Sequence, residues 1–568
     1  MSQQVGIDET VARVLAARGV GIDDAERFLE PKLRDLLPDP GTFRDMDRAA
    51  ALVAACIQQG QQIAIFGDYD VDGATSSALL HRFIQACGGT ARFYIPDRLR
   101  EGYGPNLPAL QKLHRDGAEL IVTVDCGISA FDVLDTAAAE NIRVVVLDHH
   151  LAEDRLPKVE AVVNPNRLDC TSGQGHLAAV GVAFMLAVAV NRDLRAAGWF
   201  NDRQAPNLLD LLDLVALGTV CDVVPLTGLN RAFVAQGLKV MAGRRHLGMT
   251  RLSDVANVNG PPGTYHAGFL LGPRVNAGGR VGQADLGARL LTTSDEQEAV
   301  SIAIELDRLN GERQKIEAAV LEEALGLVEA QANRAVSIVS GDRWHAGVIG
   351  IVASRLKDRT GRPAFVVALD RDADGNLVGK GSGRSIRGVD LGAAVTAARQ
   401  AGLLINGGGH AMAAGITIAA ERLDEFTEFL EARLESAVAR AAAERSLTID
   451  SVAAVGGLRL DLARTLEQAG PYGAGNPEPR LAVADAIITG AKVIGKDSDH
   501  LRVTLKGRSG GSATAMAFRC MDGPLGPSLL SMAEHGGRAH LAGHLRLNHW
   551  QGDTRAQFII DDAARAET

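Results

Sequence analysis

The sequence predicts a multidomain α/β protein. It has a doubly wound parallel-sheet lobe, a long connecting helix, a second α/β lobe and a C-terminal OB-like β-barrel. Three observations carry that prediction. Apolar runs of strand length alternate with helical patterns to roughly residue 240, and several end in aspartate or histidine. The longest helical pattern of the chain then covers residues 295–331. After Thr448 the texture changes to short β-like runs separated by glycine-rich turns. A chain of 568 residues is too long for one core, so several domains are expected.

Taken in order, residues 1–44, with Pro31, Pro38 and Pro40, read as a small helical lead-in. An amphipathic helix from about Asp45 to Gln59 opens the first lobe, which is expected to run over residues 45–294. Its first strand, Ile63-Ala64-Ile65-Phe66, runs into Gly67-Asp68-Tyr69-Asp70-Val71-Asp72-Gly73. A second, Leu120-Ile121-Val122-Thr123-Val124, delivers Asp125; a third, Val144-Val145-Val146-Leu147, delivers Asp148-His149-His150. The run from Leu214 to Cys221 ends at Asp222 and reads equally as strand or helix. The polar stretch Asn201 to Asn207 reads as a loop.

In a parallel α/β sheet, ligands bind at the carboxyl ends of the strands, where these side chains would converge. The plainer reading of the first motif is a set of aspartates capping a helix that starts near Ala74. Several such ends, one with adjacent histidines, point beyond caps. Carboxylates crowded together repel one another unless cations sit between them. Oxygen ligands with imidazole suit Mn²⁺ or Mg²⁺ better than a thiolate zinc site. More carboxylates than one ion needs indicates two divalent cations, the arrangement used for phosphoryl transfer or hydrolysis. There is no P-loop and no Gly-x-Ser-x-Gly elbow.

The connecting helix shows Ile302, Leu306, Leu309, Ile316, Val320, Ala324 and Leu327 at helical spacing. The second lobe, residues 332–447, contains strands at Val336–Val339 and Ala364–Leu369, then Asn406-Gly407-Gly408-Gly409-His410, and closes with a helix over residues 431–445. In that glycine triplet the backbone N–H groups have room to approach a phosphate while His410 donates a hydrogen bond; the plainer reading is a flexible turn. The barrel occupies residues 448–568 and includes β-like runs at Ala486–Ile488, Leu501–Leu505, Ala513–Phe518 and Ala539–Leu545.

Hydrophobic content of 46% with 23% charged residues fits a soluble globular protein, and no apolar run is long enough to cross a bilayer. Six cysteines show no paired CxxC spacing, which fits reduced thiols in the cytoplasm. The net charge of −10 seems wrong for a nucleic-acid binder, but part of it is the acidic cluster itself. Between Arg480 and Trp550, nine Lys/Arg face five Asp/Glu, a modestly basic module. Aromatic content is only 4%, which leaves Tyr103, Trp344, Phe518 and Trp550 as candidates for stacking on bases. Tyr103 lies in a glycine-flanked loop that favours exposure, whereas Phe518 is expected in the core.

At Asp148-His149-His150 and the other acidic motifs the chain resembles the DHH phosphoesterase superfamily. The resemblance narrows to the RecJ-type single-strand DNA exonucleases through Pro96-Asp97-Arg98, Glu101-Gly102-Tyr103-Gly104, Gly272 to Arg280, Trp344 to Arg355 and the glycine triplet. That triplet marks the DHH-associated domain, and the match spans roughly residues 40–560. The resemblance implies metal-dependent 5′→3′ degradation of single-stranded DNA to 5′-mononucleotides, in DNA repair and recombination. It implies Asp70, Asp72, Asp125, His149 and Asp222 as metal ligands, with Asp125 bridging both ions. Where many relatives carry a histidine, four residues before Asp70, this chain has Phe66, which cannot bind metal; either Asp68 substitutes for it or the first ion is held more weakly. Asp148 is expected to orient a histidine, and His150 to ligate or to hold phosphate. Ser382 and Arg384 are expected to bind a terminal phosphate, with Arg98, Arg280, His345, Gly408, Gly409 and His410 as further substrate contacts. A monomer is expected, with a single-strand-binding protein and a helicase as partners.

Two other readings compete. One is a hydrolase of short oligonucleotides, cyclic dinucleotides or pyrophosphate, which does not account for the barrel after Thr448. The other is a non-catalytic replication scaffold with this fold, which does not account for intact acidic motifs.

Overall fold

The computed structural model describes the whole chain except residues 99, 332, 333, 373, 445, 509, 536, 551, 552, 567 and 568 and the side chains of residues 549 and 550. It divides into two compact units: residues 1–96, 103–272 and 447–568 form the first, and residues 97–102 and 273–446 the second.

The first unit is built on a parallel sheet of β1 (Gln62–Gly67), β2 (Thr90–Tyr94), β3 (Ala118–Val124), β4 (Val144–Leu147) and β5 (Ala161–Val163), in the order β2-β1-β3-β4-β5. β4 is buried at every residue, as a strand covered on both faces must be. Chain order reverses between β1 and β3, so the crevice outside their carboxyl ends is the topological switch point where such sheets bind ligands.

Strand–helix alternation stops at Val163, well short of residue 240; from Ala179 to Glu329 the structure is helical. The ambiguous run before Asp222 is the helix Leu212–Cys221. It is apolar on all sides because it is enclosed by the helices Val71–Ala86, Ala179–Ala196 and Gly228–Ala242. An all-round apolar pattern has no period, so strand and buried helix look alike in sequence.

The barrel belongs to the same compact unit. Beside the short β11 (Ser451–Val452) run β12 (Leu481–Ile494), β13 (His500–Lys506), β14 (Ser512–Ala517), β15 (Arg538–Trp550) and β16 (Asp553–Arg565), and the β12–β15 pairing closes the ring. Its core includes Val14 from the N-terminal helix Glu9–Ala17. Arg231, 1% exposed, donates to the Phe28 carbonyl at 2.7 Å and to the carbonyls of Ala469, Gly470 and Pro471.

The second unit holds the 34-residue helix Glu296–Glu329 and a mixed sheet of β6 (Ser337–Asp342), β7 (Ala364–Arg371), β8 (Leu377–Arg384), β9 (Asn406–His410) and β10 (Ala413–Ala419), ordered β6-β7-β8-β10-β9. The glycine triplet is thus an edge strand rather than a turn. The closing helix, Leu423–Ala443, starts earlier than its alanine-rich end suggested. Among the described residues, no helix is long and apolar enough to cross a membrane, and all six cysteines are unpaired.

Candidate metal centre and phosphate-binding set

β1, β3 and β4 lie side by side, so the residues just past their ends meet. Asp70 caps the helix Val71–Ala86, its Oδ1 accepting from Asp72 N at 2.9 Å and Gly73 N at 3.1 Å. The capping reading therefore describes Asp70 correctly without exhausting it. Asp72, 1% exposed, accepts from Ala179 N at 2.7 Å and Val180 N at 2.9 Å, so the start of the helix Ala179–Ala196 holds its carboxylate. Asp125 has φ 61°, a left-handed conformation that a short polar side chain tolerates and a β-branched one does not.

His149 joins these carboxylates. Its Nδ1 lies 3.0 Å from the Leu177 carbonyl, which only accepts, so Nδ1 carries the proton and Nε2 presents a lone pair. Nε2 is 3.2 Å from Asp125 Oδ1 and 3.9 Å from Asp72 Oδ2, while Nδ1 is 3.7 Å from Asp222 Oδ2. His149 Nε2 and Asp222 Oδ2 are buried with no hydrogen-bond partner among the described residues. Three overlapping groups offer ligand atoms within 4.8 Å of one another: Asp72, His149 and Asp222; Asp125, His149 and His150; Asp68, Asp70 and Asp125. Phe66 is fully buried and stacks on Tyr94 with centroids 5.5 Å apart, so it is core, while Asp68 stands in the cluster.

The electrostatics follow from crowding. Burial and the Asp70 charge hold the Asp72 carboxyl up at about 7. Burial, with Asp72 and Asp70, pushes Asp222 up to about 9. Asp125, buried among Asp70, Asp72 and Asp68, is raised well above the carboxylate range. Burial and the neighbouring His150 press His149 down to about 4, so its imidazole is neutral. Acceptor atoms left unsatisfied among mutually repelling carboxylates are what a cation would satisfy; the donor set fits a hard divalent ion.

Asp148 is occupied elsewhere. It accepts from His149 N, His150 N, Ile128 N and His150 Nδ1, the last at 2.7 Å. Burial alone would lower His150, but this bond to Asp148 outweighs it and the imidazole is raised. The Tyr103 hydroxyl donates to the Asp125 carbonyl at 3.1 Å. Asn164 and Asn166 hold the His150 and His149 carbonyls at 2.9 and 2.5 Å. These asparagines were not anticipated, although Asn164 ends the apolar run of β5 as Asp125 ends that of β3.

In the second unit, Arg384 Nη1 donates to Ser382 Oγ at 3.1 Å and to the Gly383 carbonyl at 2.9 Å. Both side chains sit at the start of the helix Ile349–Thr360: a Cβ on Gly350 would lie 3.0 Å from Arg384 Nη2 and 3.1 Å from Ser382 Oγ. His345 Nδ1 accepts from Gly347 N at 3.0 Å, and Arg280 donates to the Gly347 carbonyl at 2.8 Å. Burial, then the Arg98 charge, lowers the Arg384 guanidinium. Positive charge beside a helix N-terminus suits an anion.

His410 stands in register with Ala413, and Ala413 with Arg384, which places His410 on the same sheet face about 10 Å from the arginine strand. A Cβ on Gly409 would run into the Ala413 carbonyl, whereas Gly408 faces open space, so packing explains the first glycine and not the second. Trp344 is only 7% exposed and donates to Glu323 at 2.7 Å; it belongs to the core, not to a stacking surface. Phe518 reverses its expectation too, being 46% exposed beside His500. The Trp550 side chain lies outside the described residues.

A switch-point cluster of aspartates and histidines on one unit and an arginine–serine pair beside a helix start on the other define a DHH-type protein. Models of three families match in that order: the DHH family N-terminal domain over residues 62–219, the DHHA1 domain over 331–436 and the RecJ OB domain over 449–562. The single-stranded-DNA-specific exonuclease RecJ of Dickeya dadantii is 38% identical over 562 residues, covering 97% of this chain and 95% of that protein. The crystal structure of RecJ from Thermus thermophilus in complex with Mn²⁺ matches with a TM-score of 0.79 at 30% identity, over 100% of this chain and 77% of that one. Its Mg²⁺ complex matches with a TM-score of 0.75 at 29% identity, over 100% of this chain and 76% of that one. The chain belongs to the RecJ family of single-stranded-DNA-specific exonucleases.

Proposed function

We propose that this protein is a metal-dependent exonuclease that hydrolyses single-stranded DNA 5′→3′ to 5′-mononucleotides, in DNA repair and recombination in the cytoplasm. The observation that carries the reading is the convergence of Asp70, Asp72, Asp125 and His149, past the ends of adjacent parallel strands, with Asp222 at a helix end, His149 Nε2 and Asp222 Oδ2 being left unsatisfied. Those five residues, with Asp68 in place of a histidine at Phe66, would hold two divalent cations, Mn²⁺ or Mg²⁺. Cations there supply an activated water and offset the charge that builds on phosphorus.

The chain's own residues do the rest. The backbone N–H groups of Ala179 and Val180 fix the Asp72 carboxylate, and the Leu177 carbonyl fixes the His149 tautomer. Asp148 holds His150 through Nδ1, which leaves Nε2, 3.5 Å from the Tyr103 hydroxyl, as the nitrogen that would donate to a phosphate oxygen. Ser382 and Arg384 at the head of the helix Ile349–Thr360, with Arg98, Arg280, His345, His410 and the backbone at Gly408 and Gly409, hold the 5′-terminal phosphate. The barrel, modestly basic, binds the rest of the strand, and a single-strand-binding protein and a helicase supply substrate.

The test is a 3′-labelled single strand incubated with the protein. Shortening from the 5′ end that needs Mn²⁺ or Mg²⁺ and stops with chelator is expected. Cleavage from the 3′ end, or cleavage indifferent to chelator, contradicts the reading.

A further inference from the structure

A groove of about 1460 Å³ in the first unit is lined by Cys221 and Val223, the chain neighbours of Asp222, together with Tyr265 and Phe269 and, from the barrel side, Tyr472 and Arg546. Tyr265 and Phe269 belong to a short segment around the π-helix His266–Leu271, whose Ala267 carbonyl accepts from Cys221 Sγ at 3.5 Å. The segment is thus anchored directly to the helix end that presents Asp222. Its outer face carries the two aromatic rings, 61% and 70% exposed, stacked on each other with centroids 5.4 Å apart at 22°. Val223, also in the groove, is 70% exposed at φ 61°, a conformation a β-branched residue avoids. Three large apolar groups in water beside a candidate metal ligand are not explained by packing.

The groove's charges are mixed. Glu30, Lys32, Lys239, Glu467 and Glu478 line it with Arg546, and Arg546 is bonded to Glu478 at 2.8 Å. A phosphate backbone finds no continuous positive track there, but flat rings find partners. Bases stack on aromatic side chains whatever their sequence, because every base has a π-face.

We propose that Tyr265 and Phe269 form a base-stacking step on which the uncut part of a single strand rests after it passes Asp222, on its way to the barrel strand that carries Arg546. The inference rests on the nuclease reading and adds to it the groove and the residues that receive bases.

Short 5′-phosphorylated strands, with normal bases or with a run of abasic residues behind the first few nucleotides, test it by steady-state kinetics with Mn²⁺ on the full chain. For the unaltered protein the abasic run should raise KM about tenfold. The double variant Tyr265→Ala/Phe269→Ala should raise KM on the normal strand by a similar factor and no longer distinguish the two strands. The ring-preserving variant Tyr265→Phe/Phe269→Tyr should keep the original discrimination. The inference fails if the alanine variant still discriminates, or if the ring-preserving variant loses discrimination as the alanine one does. An unaltered protein that cuts neither strand would sink the nuclease reading itself, before any variant is compared.

Discussion

In the first compact unit, seven carboxylates and imidazoles crowd together, with Asp70 and Asp72 held by backbone N–H groups; in the second, arginines, a serine and a histidine lie along a sheet face and a helix start. The first arrangement is unfavourable by itself, since burial and repulsion raise Asp72, Asp125 and Asp222 together. The second is satisfied as it stands, Arg384 already bonding Ser382 and the Gly383 carbonyl. The contrast teaches that the first set has a reason to take up cations, which offset its repulsion, whereas the second is already bonded and has donors suited to an anion; on the proposed reading the first carries the chemistry and the second selects the strand end.

Removing a shared ligand should break the first site outright. Asp125→Ala is expected to lower cleavage by roughly three orders of magnitude or more, the scale on which losing one member of a catalytic unit acts, while the metal-free fold is kept because repulsion falls. Near-normal turnover with Mn²⁺ would refute the role given to Asp125. Asp148→Asn leaves every ligand in place but loosens His150. A loss of about 10–100-fold, the usual cost of an outer partner, is expected, and unchanged activity would mean that Asp148 orients nothing of consequence.

The second site should respond differently. Arg384→Ala should reduce the preference for 5′-phosphorylated over 5′-hydroxyl ends by about tenfold or more, the worth of a charge-assisted hydrogen bond, more than it reduces turnover on saturating hydroxyl-ended strands. A variant that keeps the full preference would remove Arg384 from end recognition.

The smallest effect sharpens the electrostatic side. Asp72 at about 7 and Asp222 at about 9 stand above the ordinary carboxylate value, so the metal-free protein holds more protons than its unfolded chain across that range. Its stability therefore falls as the pH rises toward about 9. Cations remove that penalty, so the rise in Tm on adding Mn²⁺ should grow over the same window; at a hundredfold excess over Kd, binding contributes about 2.7 kcal/mol. A rise independent of pH would show that these carboxyls do not give up protons to bind the ion.

The first site was legible in the sequence because each role sits where a periodic apolar run stops: Asp125 after Val124, Asp148 after Leu147. Asp222 was legible as a residue but not as a helix end, since its run is buried on every side. The second site has no such punctuation. Ser382 and Arg384 meet over Gly350, and antiparallel register puts His410 on the same sheet face two strands away, an arrangement that only a known family pattern suggested. Tyr265 and Phe269 were missed because two aromatics four residues apart look like core, and only exposure distinguishes them. The barrel read as a separable module, yet Val14 and Arg231 tie it to the rest of the first unit, so removing everything after Thr448 would test folding before binding.

Anomalous scattering from crystals soaked in Mn²⁺ tests the central claim most directly. Two peaks about 3.5–4 Å apart, with the Asp125 carboxylate between them and Asp70, Asp72, His149 and Asp222 around them, are predicted. A single peak among these residues, or manganese bound only elsewhere, would contradict the two-ion centre.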